Sequence, residues 1–289
     1  MKTPPDIPRR SNPVTDVVGR VDARLGGAPS GDTVATGFPS VDRILGGGLR
    51  QGDLVVLGGD VGVGKSSFAL AIALRIAERG ESAAFLSGEM EEERMWERAL
   101  AIESRTRLDD IRRGTLSDET RAAIGAAALR LRDRPLAYRP TAADSLEEVA
   151  DRIRTCHAPF TAVDYLQLLP PAKTVADLAE QGAAAVRLLK EVAIDAHTAL
   201  LLVAQLPRHD PKRRDPRPEL DDFGVLGAVK FHADVVLGLY REEMYQVTRG
   251  VEGATELIVA KNRHGATGFV DLYFYHRWMR FEDMLDPDR

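Results

Sequence analysis

One cysteine, Cys156, stands in a chain of 289 residues. No internal disulfide can form, and such a composition suits a reducing compartment. Met1 to Pro13 has no apolar segment of the signal-peptide kind, and no uncharged apolar run is long enough to cross a bilayer. The expectation is a soluble, cytoplasmic protein that works without a membrane. The six histidines are scattered with no H-x-H spacing, and a lone cysteine makes no C-x-x-C pair, so no structural-metal pattern is present. Positive charge is not in surplus either. Lys and Arg number 39 against 44 Asp and Glu, a formal charge of −5, so no global basic field draws nucleic acid and any such contact has to be local. Trp96 and Trp278 read as packing residues, and no internal repeat or low-complexity tract occurs.

What the chain does have is apolar content, 44%, enough for one substantial core, since α/β domains of roughly 200 to 250 residues are ordinary single units. It also has Gly59-Asp60-Val61-Gly62-Val63-Gly64-Lys65-Ser66, which fits the phosphate-binding pattern G-x-x-x-x-G-K-[S/T]. The apolar run Asp53 to Gly58 precedes it as a buried strand, and Ser67 to Glu78 follows with helical period. In that context the glycines let backbone N–H groups close around a β-phosphate, and the helix N-terminus points its positive end at the same anion. Lys65 reaches the β- and γ-phosphates and the Ser66 hydroxyl binds Mg2+. Gly59, Gly62, Gly64, Lys65, Ser66 and Ser67 are the expected nucleotide-binding residues.

In chain order, Met1 to Asn12 carries three prolines and reads as an arm. Val14, Val17, Val18, Val21 and Leu25 share one face of a short amphipathic helix that ends at Gly26-Gly27, and Ala28 to Val34 reads as a linker. That helix either folds back on its own domain or lies in a groove of another subunit. The division expected is 1–34 for arm, helix and linker and 35–289 for the main domain. Further strands are predicted at Ala83–Ser87, Thr161–Val163, Leu200–Gln205, Val235–Tyr240, Leu257–Ala260 and Val270–Tyr275, the last two pairing as a ribbon. Helices are predicted at Glu91–Glu103, Ser117–Arg132, Ser145–Thr155 and about Val175–Asp195. Alternation of strand and helix argues for an α/β, doubly wound, mostly parallel sheet.

In such sheets ligands sit beyond the carboxyl ends of the strands. Glu89, Asp164 and Gln205 each follow an apolar run, so the fold gathers them with Lys65 at one nucleotide. Asp164 fits the Walker B aspartate that holds Mg2+. Glu89 is either a general base for the attacking water or the first of the surface glutamates Glu89, Glu91, Glu92 and Glu93. Gln205 is either a γ-phosphate sensor or an ordinary strand-end amide. For adenine, Tyr240, Tyr245 and Phe281 offer faces with nothing to choose among them.

Taken together, Thr36-Gly37-Phe38, the P-loop, Phe85-Leu86-Ser87-Gly88-Glu89-Met90, Asp164-Tyr165-Leu166-Gln167-Leu168, Ala204-Gln205-Leu206, Ala233-Asp234-Val235-Val236 and Ala260-Lys261-Asn262-Arg263 resemble the C-terminal motor domain of DnaB-type replicative hexameric helicases. The resemblance runs from about residue 14 onward. It implies a RecA-like ATPase core, a homohexameric ring, ATP and Mg2+ at sites shared between neighbours, and single-stranded DNA in the channel. Glu89 then looks like the catalytic glutamate and Gln205 the sensor, while Lys261 and Arg263 match the basic pair that reaches the next subunit's γ-phosphate. Without the resemblance, Lys261 to Gly265 would read as a basic turn. Two departures stand out. The resemblance leads one to expect a helical N-terminal domain with a primase-binding collar before the linker helix, where this sequence has about a dozen residues. The channel loops carry Gly224-Val225-Leu226-Gly227, then Lys230 and Phe231, and Pro170-Pro171-Ala172-Lys173. DNA phosphates would have to meet Lys173, Lys230 or the segment Arg208, Lys212, Arg213, Arg214 and Arg217, which otherwise is a solvated loop. The function expected is an ATP-driven helicase on single-stranded DNA, the alternative a RecA-like ATPase that switches a protein assembly without unwinding.

Overall fold

The apolar run ahead of the P-loop becomes the central strand of the molecule. The computed structural model describes residues 13–25, 31–164, 178–207, 213–226, 229–245 and 251–284. Its first part comprises α1 (Pro13–Leu25), β1 (Thr33–Val34), α2 (Pro39–Ile44), β2 (Leu49–Arg50), β3 (Leu54–Gly59), α3 (Lys65–Glu78), β4 (Ala83–Ser87), α4 (Glu92–Ser104), α5 (Leu108–Arg113) and α6 (Asp118–Arg132). Then come β5 (Leu136–Pro140), α7 (Leu146–Cys156), β6 (Phe160–Asp164), α8 (Leu178–Asp195), β7 (Ala199–Gln205), α9 (Val229–His232), β8 (Val235–Tyr240), β9 (Ala254–Asn262), β10 (Gly268–Tyr275) and β11 (Arg280–Asp283). Among the described residues one large sheet has the order β11-β10-β9-β8-β3-β7-β6-β4-β5. From β8 to β5 neighbours run parallel, and β9, β10 and β11 extend it antiparallel. This is the α/β, RecA-like architecture expected, with the ribbon of β9 and β10 in place.

Every residue of β3 is buried, and its side chains alternate between two cores as a strand's must. Val55 and Leu57 pack with Phe68 and Ile72 of α3, while Leu54 and Val56 pack with Val149 of α7 and Val186 and Leu189 of α8. Burial on both faces is why this run reads as continuously apolar rather than alternating. Helix starts follow local chemistry. Ser117 accepts from Thr120 N at 3.2 Å, and Ser145 makes a full capping box, its Oγ accepting from Glu148 N while Glu148 accepts from Ser145 N at 2.7 Å.

The differences from the sequence expectations include short elements: α2, α5, the separate two-stranded pair of β1 and β2, and two strands at the edges of the large sheet. β5 and β11 have no counterpart among the predicted strands, and both lie at the sheet's margins, where a half-polar sequence such as Leu136-Ala-Tyr-Arg-Pro140 suffices. α8 is described from Leu178; Val175 lies outside the described residues, as do Tyr165, Leu166 and Gln167. In α1, Val14, Val17, Val18, Val21 and Leu25 stay about half exposed or more, so the apolar face is not folded into the core. No described helix is long and apolar enough to cross a membrane.

Candidate functional site

The P-loop turns from β3 into α3 through Gly64, whose φ of +110° lies in the region that favours glycine. A Cβ there would sit 2.9 Å from Phe281 Cζ, so no other residue fits. Lys65 is the first helical residue and folds its ammonium back over the loop, donating to Gly59 O at 3.0 Å and Asp60 O at 2.8 Å. Burial lowers its pKa, opposed by the charges of Asp164, Asp60 and Glu89. An anion in the loop would relieve that burial penalty.

A cavity of about 400 Å³ opens in front of the loop. Its floor is Gly62, Gly64, Lys65, Ser66 and Ser67, and the ends of β4, β6 and β7 bring in Glu89, Asp164 and Gln205. These eight residues share one cavity, as the strand-end rule requires. Gly59 closes the loop from behind. Its carbonyl accepts Lys65 Nζ and also Leu206 N at 3.1 Å, which ties the loop to the turn after Gln205.

Asp164 is the most unusual group in the cavity. It is 1% exposed, and neither carboxylate oxygen has a hydrogen-bond partner. Burial lifts its pKa to about 6; the Ser66 hydroxyl is the strongest opposing influence although it stops short of hydrogen-bond geometry, and Glu89 pushes the same way as burial. A buried carboxylate left unpaired beside a serine hydroxyl and a phosphate loop is a donor set that a hard divalent cation fits.

Arg98, Arg241, Phe274, His276 and Met279 escaped the sequence reading. Arg98 of α4 reaches the cavity with its Nε buried and unpartnered, and burial lowers its pKa against the pull of Asp164 and Glu89. A signal existed: Arg98 falls in the stripe of Met95, Ala99 and Ile102 that α4 buries, an unusual place for a charge. Arg241 donates to Gly62 O at 3.2 Å and lies over the Phe274 ring. With Phe274, His276 and Met279 it forms the less polar wall of the cavity. Tyr240 and Phe281 are buried in packing, and Tyr245 stacks on Tyr240 and donates to Asp60 Oδ2 at 3.3 Å. None of these three faces the cavity.

Lys261 and Arg263 are elsewhere. β9 runs antiparallel to β8, so Asn262 pairs with Val235, which pairs with Val55 at the start of β3, whereas the P-loop leaves from Gly59 at its end. The offset along the strand is about 13 Å at ~3.3 Å per residue. Arg263 there bonds Asp234 Oδ1 at 2.9 Å, and Lys261 Nζ donates to Ala233 O at 2.6 Å. Burial and the adjoining Arg263 charge lower the Lys261 pKa, with Asp234 opposing. Within one chain this pair does not meet the cavity.

Of the basic residues considered for DNA, Lys173, Arg208 and Lys212 lie outside the described residues. Arg213 is clamped by Asp222 at 2.7 and 2.9 Å, and Arg217 is bidentate on Glu256 at 2.7 and 2.6 Å. Arg214 is exposed. Lys230 pairs with Asp221 on the exposed side of α9, next to Phe231, which is 73% exposed.

Known proteins resemble the chain over most of its length. The replicative DNA helicase DnaB of Leifsonia xyli subsp. xyli is 30% identical over 276 residues, 94% of this chain and 60% of that protein. The replicative DNA helicase DnaC of Bacillus subtilis is 29% identical over 257 residues, 87% of this chain and 56% of that protein. The chain thus spans little more than half the length of the curated relatives it matches. Among solved structures, one of an ATPase domain superposes with a TM-score of 0.87 at 24% identity, covering 96% of this chain and 100% of that one. A DnaB-like replicative helicase studied with its primase interactions gives 0.86 at 24% identity, over 95% and 68%. Both show the fold. The family model for the DnaB-like helicase C-terminal domain matches residues 33–283, and the chain belongs to that family.

Proposed function

We propose that this chain is the ATP-hydrolysing motor of a DNA helicase that works as a ring of identical subunits on single-stranded DNA, with residues 35–289 as motor and 1–34 as the arm and helix that tether neighbours. One observation carries the reading: Lys65, Ser66, Glu89, Asp164 and Gln205 converge on one cavity while Lys261 and Arg263 lie at the far end of β3, away from it, a separation that supports a role for the pair at a neighbour's nucleotide. The names of the relatives, replicative DNA helicases, agree with it.

In this reading Lys65 and the loop amides hold the β- and γ-phosphates, and Ser66 with Asp164 would hold Mg2+, which when bound would supply positive charge to offset that of the phosphates. Glu89, exposed at the cavity mouth, orients a water and takes its proton as the water oxygen attacks phosphorus and the β–γ bridging oxygen leaves. Gln205 reports the γ-phosphate to β7. Arg241, Phe274, His276 and Met279 form the wall for the base. Arg263 and Lys261 of the adjoining subunit stabilise charge in the transition state, a contribution of about 10³-fold or more for such fingers. Phe231 and Lys230 on α9 join an exposed ring to a positive charge, the combination that stacks on bases and contacts phosphates.

The test is ATP hydrolysis with and without single-stranded DNA, together with unwinding of a forked duplex. DNA should stimulate hydrolysis, and its affinity should fall steeply with salt as bound phosphates release counterions. A rate indifferent to DNA at low salt, with no detectable binding, would overturn the helicase reading and leave a protein-assembly switch.

A further inference from the structure

We propose that Asp234 is the positioning residue for Arg263, an assignment that rests on the trans-acting role given to Arg263 above. The Asp234 side chain is 2% exposed, and its two oxygens have separate tasks. Oδ2 accepts from Leu54 N at 2.9 Å and Lys190 Nζ at 2.6 Å, which fixes the carboxylate to the first residue of β3. Lys190 is in turn anchored on Gly52 O at 2.7 Å. Oδ1 is thereby aimed outward and takes Arg263 Nη1 at 2.9 Å.

Arg263 is held at two further points, Nη2 on Phe231 O at 3.2 Å and its backbone N on Asp234 O at 2.9 Å. Lys261 is seated the same way, on Ala233 O and on Lys230 O at 3.0 Å. A half-exposed arginine on its own samples many rotamers and loses that freedom each time it acts. Here one buried carboxylate and the carbonyls at the end of α9 remove the freedom beforehand, so the two cations are presented as a rigid pair. Asp53, Asp234 and His264 bring ligand atoms within 4.8 Å of one another. Lys190 and Arg263 already supply the positive charge that this cluster attracts, so it is a scaffold for side-chain cations rather than a metal site.

Positioning of this kind predicts a loss in kcat without a loss in nucleotide affinity, because the P-loop of the altered subunit is intact. Asp234→Asn should lower kcat of the assembly by about ten- to hundredfold, the range that follows from a finger misplaced by about 1 Å, and leave fluorescent-ATP affinity unchanged. Mixing makes the test directional. Subunits with Asp234→Asn should regain activity when mixed with Lys65→Ala subunits, whose fingers are sound, and should gain nothing from Arg263→Ala subunits. A purely structural role would damage β3 and its P-loop too, and neither partner would rescue it. Wild-type kcat in Asp234→Asn, parallel loss of affinity and kcat, or rescue by Arg263→Ala overturns the assignment. Where circular dichroism shows that Asp234→Asn does not fold, Asp234→Glu, which keeps the charge and shifts it by one methylene, goes through the same mixing, and an unaltered kcat is fatal. Full activity of Arg263→Ala alone would instead sink the trans reading beneath it, a distinguishable failure.

Discussion

Replacing Gly64 by alanine should separate two origins of loop stability. At φ +110° an alanine carries backbone strain, about 1–2 kcal/mol by the usual left-handed penalty. Its Cβ would also lie 2.9 Å from Phe281 Cζ, 3.2 Å from Phe281 Cε2 and 3.5 Å from Phe274 Cε1. Phe281 cannot yield, being fully buried with its ring 4.4 Å from that of Phe274 and 5.2 Å from that of Phe68. Forced overpacking of that kind costs about 1–3 kcal/mol, so Gly64→Ala should lose about 2–5 kcal/mol in all. Gly62 is the control. Its φ is +77° but a Cβ there meets nothing within 4 Å, so Gly62→Ala carries only the strain of about 1–2 kcal/mol. Urea unfolding of both variants, compared at constant m-value, measures the difference. Equal losses, or a smaller loss for Gly64→Ala, would refute the claim that the aromatic wedge behind the loop dictates glycine there.

Lys65→Ala should weaken ATP binding, whereas Glu89→Gln should bind ATP normally and hydrolyse it at least a hundredfold more slowly, within the ~10²–10⁴ range of general-base removal; near-normal turnover in Glu89→Gln excludes it as the base. Asp164→Asn removes a buried charge that no hydrogen bond satisfies, so the nucleotide-free protein should melt at a higher temperature while Mg2+-dependent hydrolysis is lost; a lower melting temperature would show that the ionised carboxylate is stabilised by neighbours after all. Arg217→Ala breaks the bidentate pair with Glu256 and the contact over Tyr240 and should lower stability by about 1 kcal/mol, leaving the salt dependence of DNA binding as it was; a shallower salt slope would assign this arginine to DNA.

The parts of the site legible in the sequence were those written by local chemistry. A glycine loop between an apolar strand and a helix fixes the P-loop, and the rule that strand ends converge places Glu89, Asp164 and Gln205 beside it. What sequence does not carry is distance across the sheet. Nothing in the spacing of Lys261 and Arg263 reveals that they sit at the opposite end of β3 from Lys65, since that depends on the antiparallel return of β9 against β8. Arg98 was hidden because a charged residue on an amphipathic helix is ordinarily on its solvent face. The wall of Arg241, Phe274, His276 and Met279 was hidden because it assembles from the end of β8, β10 and the turn after it, whereas the aromatics conspicuous in sequence, Tyr240 and Phe281, are spent on packing.

The two ends of β3 make the subunit directional, with a nucleotide cradle at one end and a basic pair at the other. In the proposed assembly, contacts between such subunits run head to tail, the heterologous kind that closes into a circle or continues as an open arc. In an arc, the first subunit holds a nucleotide that no arginine reaches, and the last holds out an arginine with no nucleotide to meet. Closing the arc turns these two idle halves into one more working site. On that proposal, loading around a continuous strand, which requires the circle to open, carries its own brake: the breach through which a strand passes is also the place where hydrolysis stops.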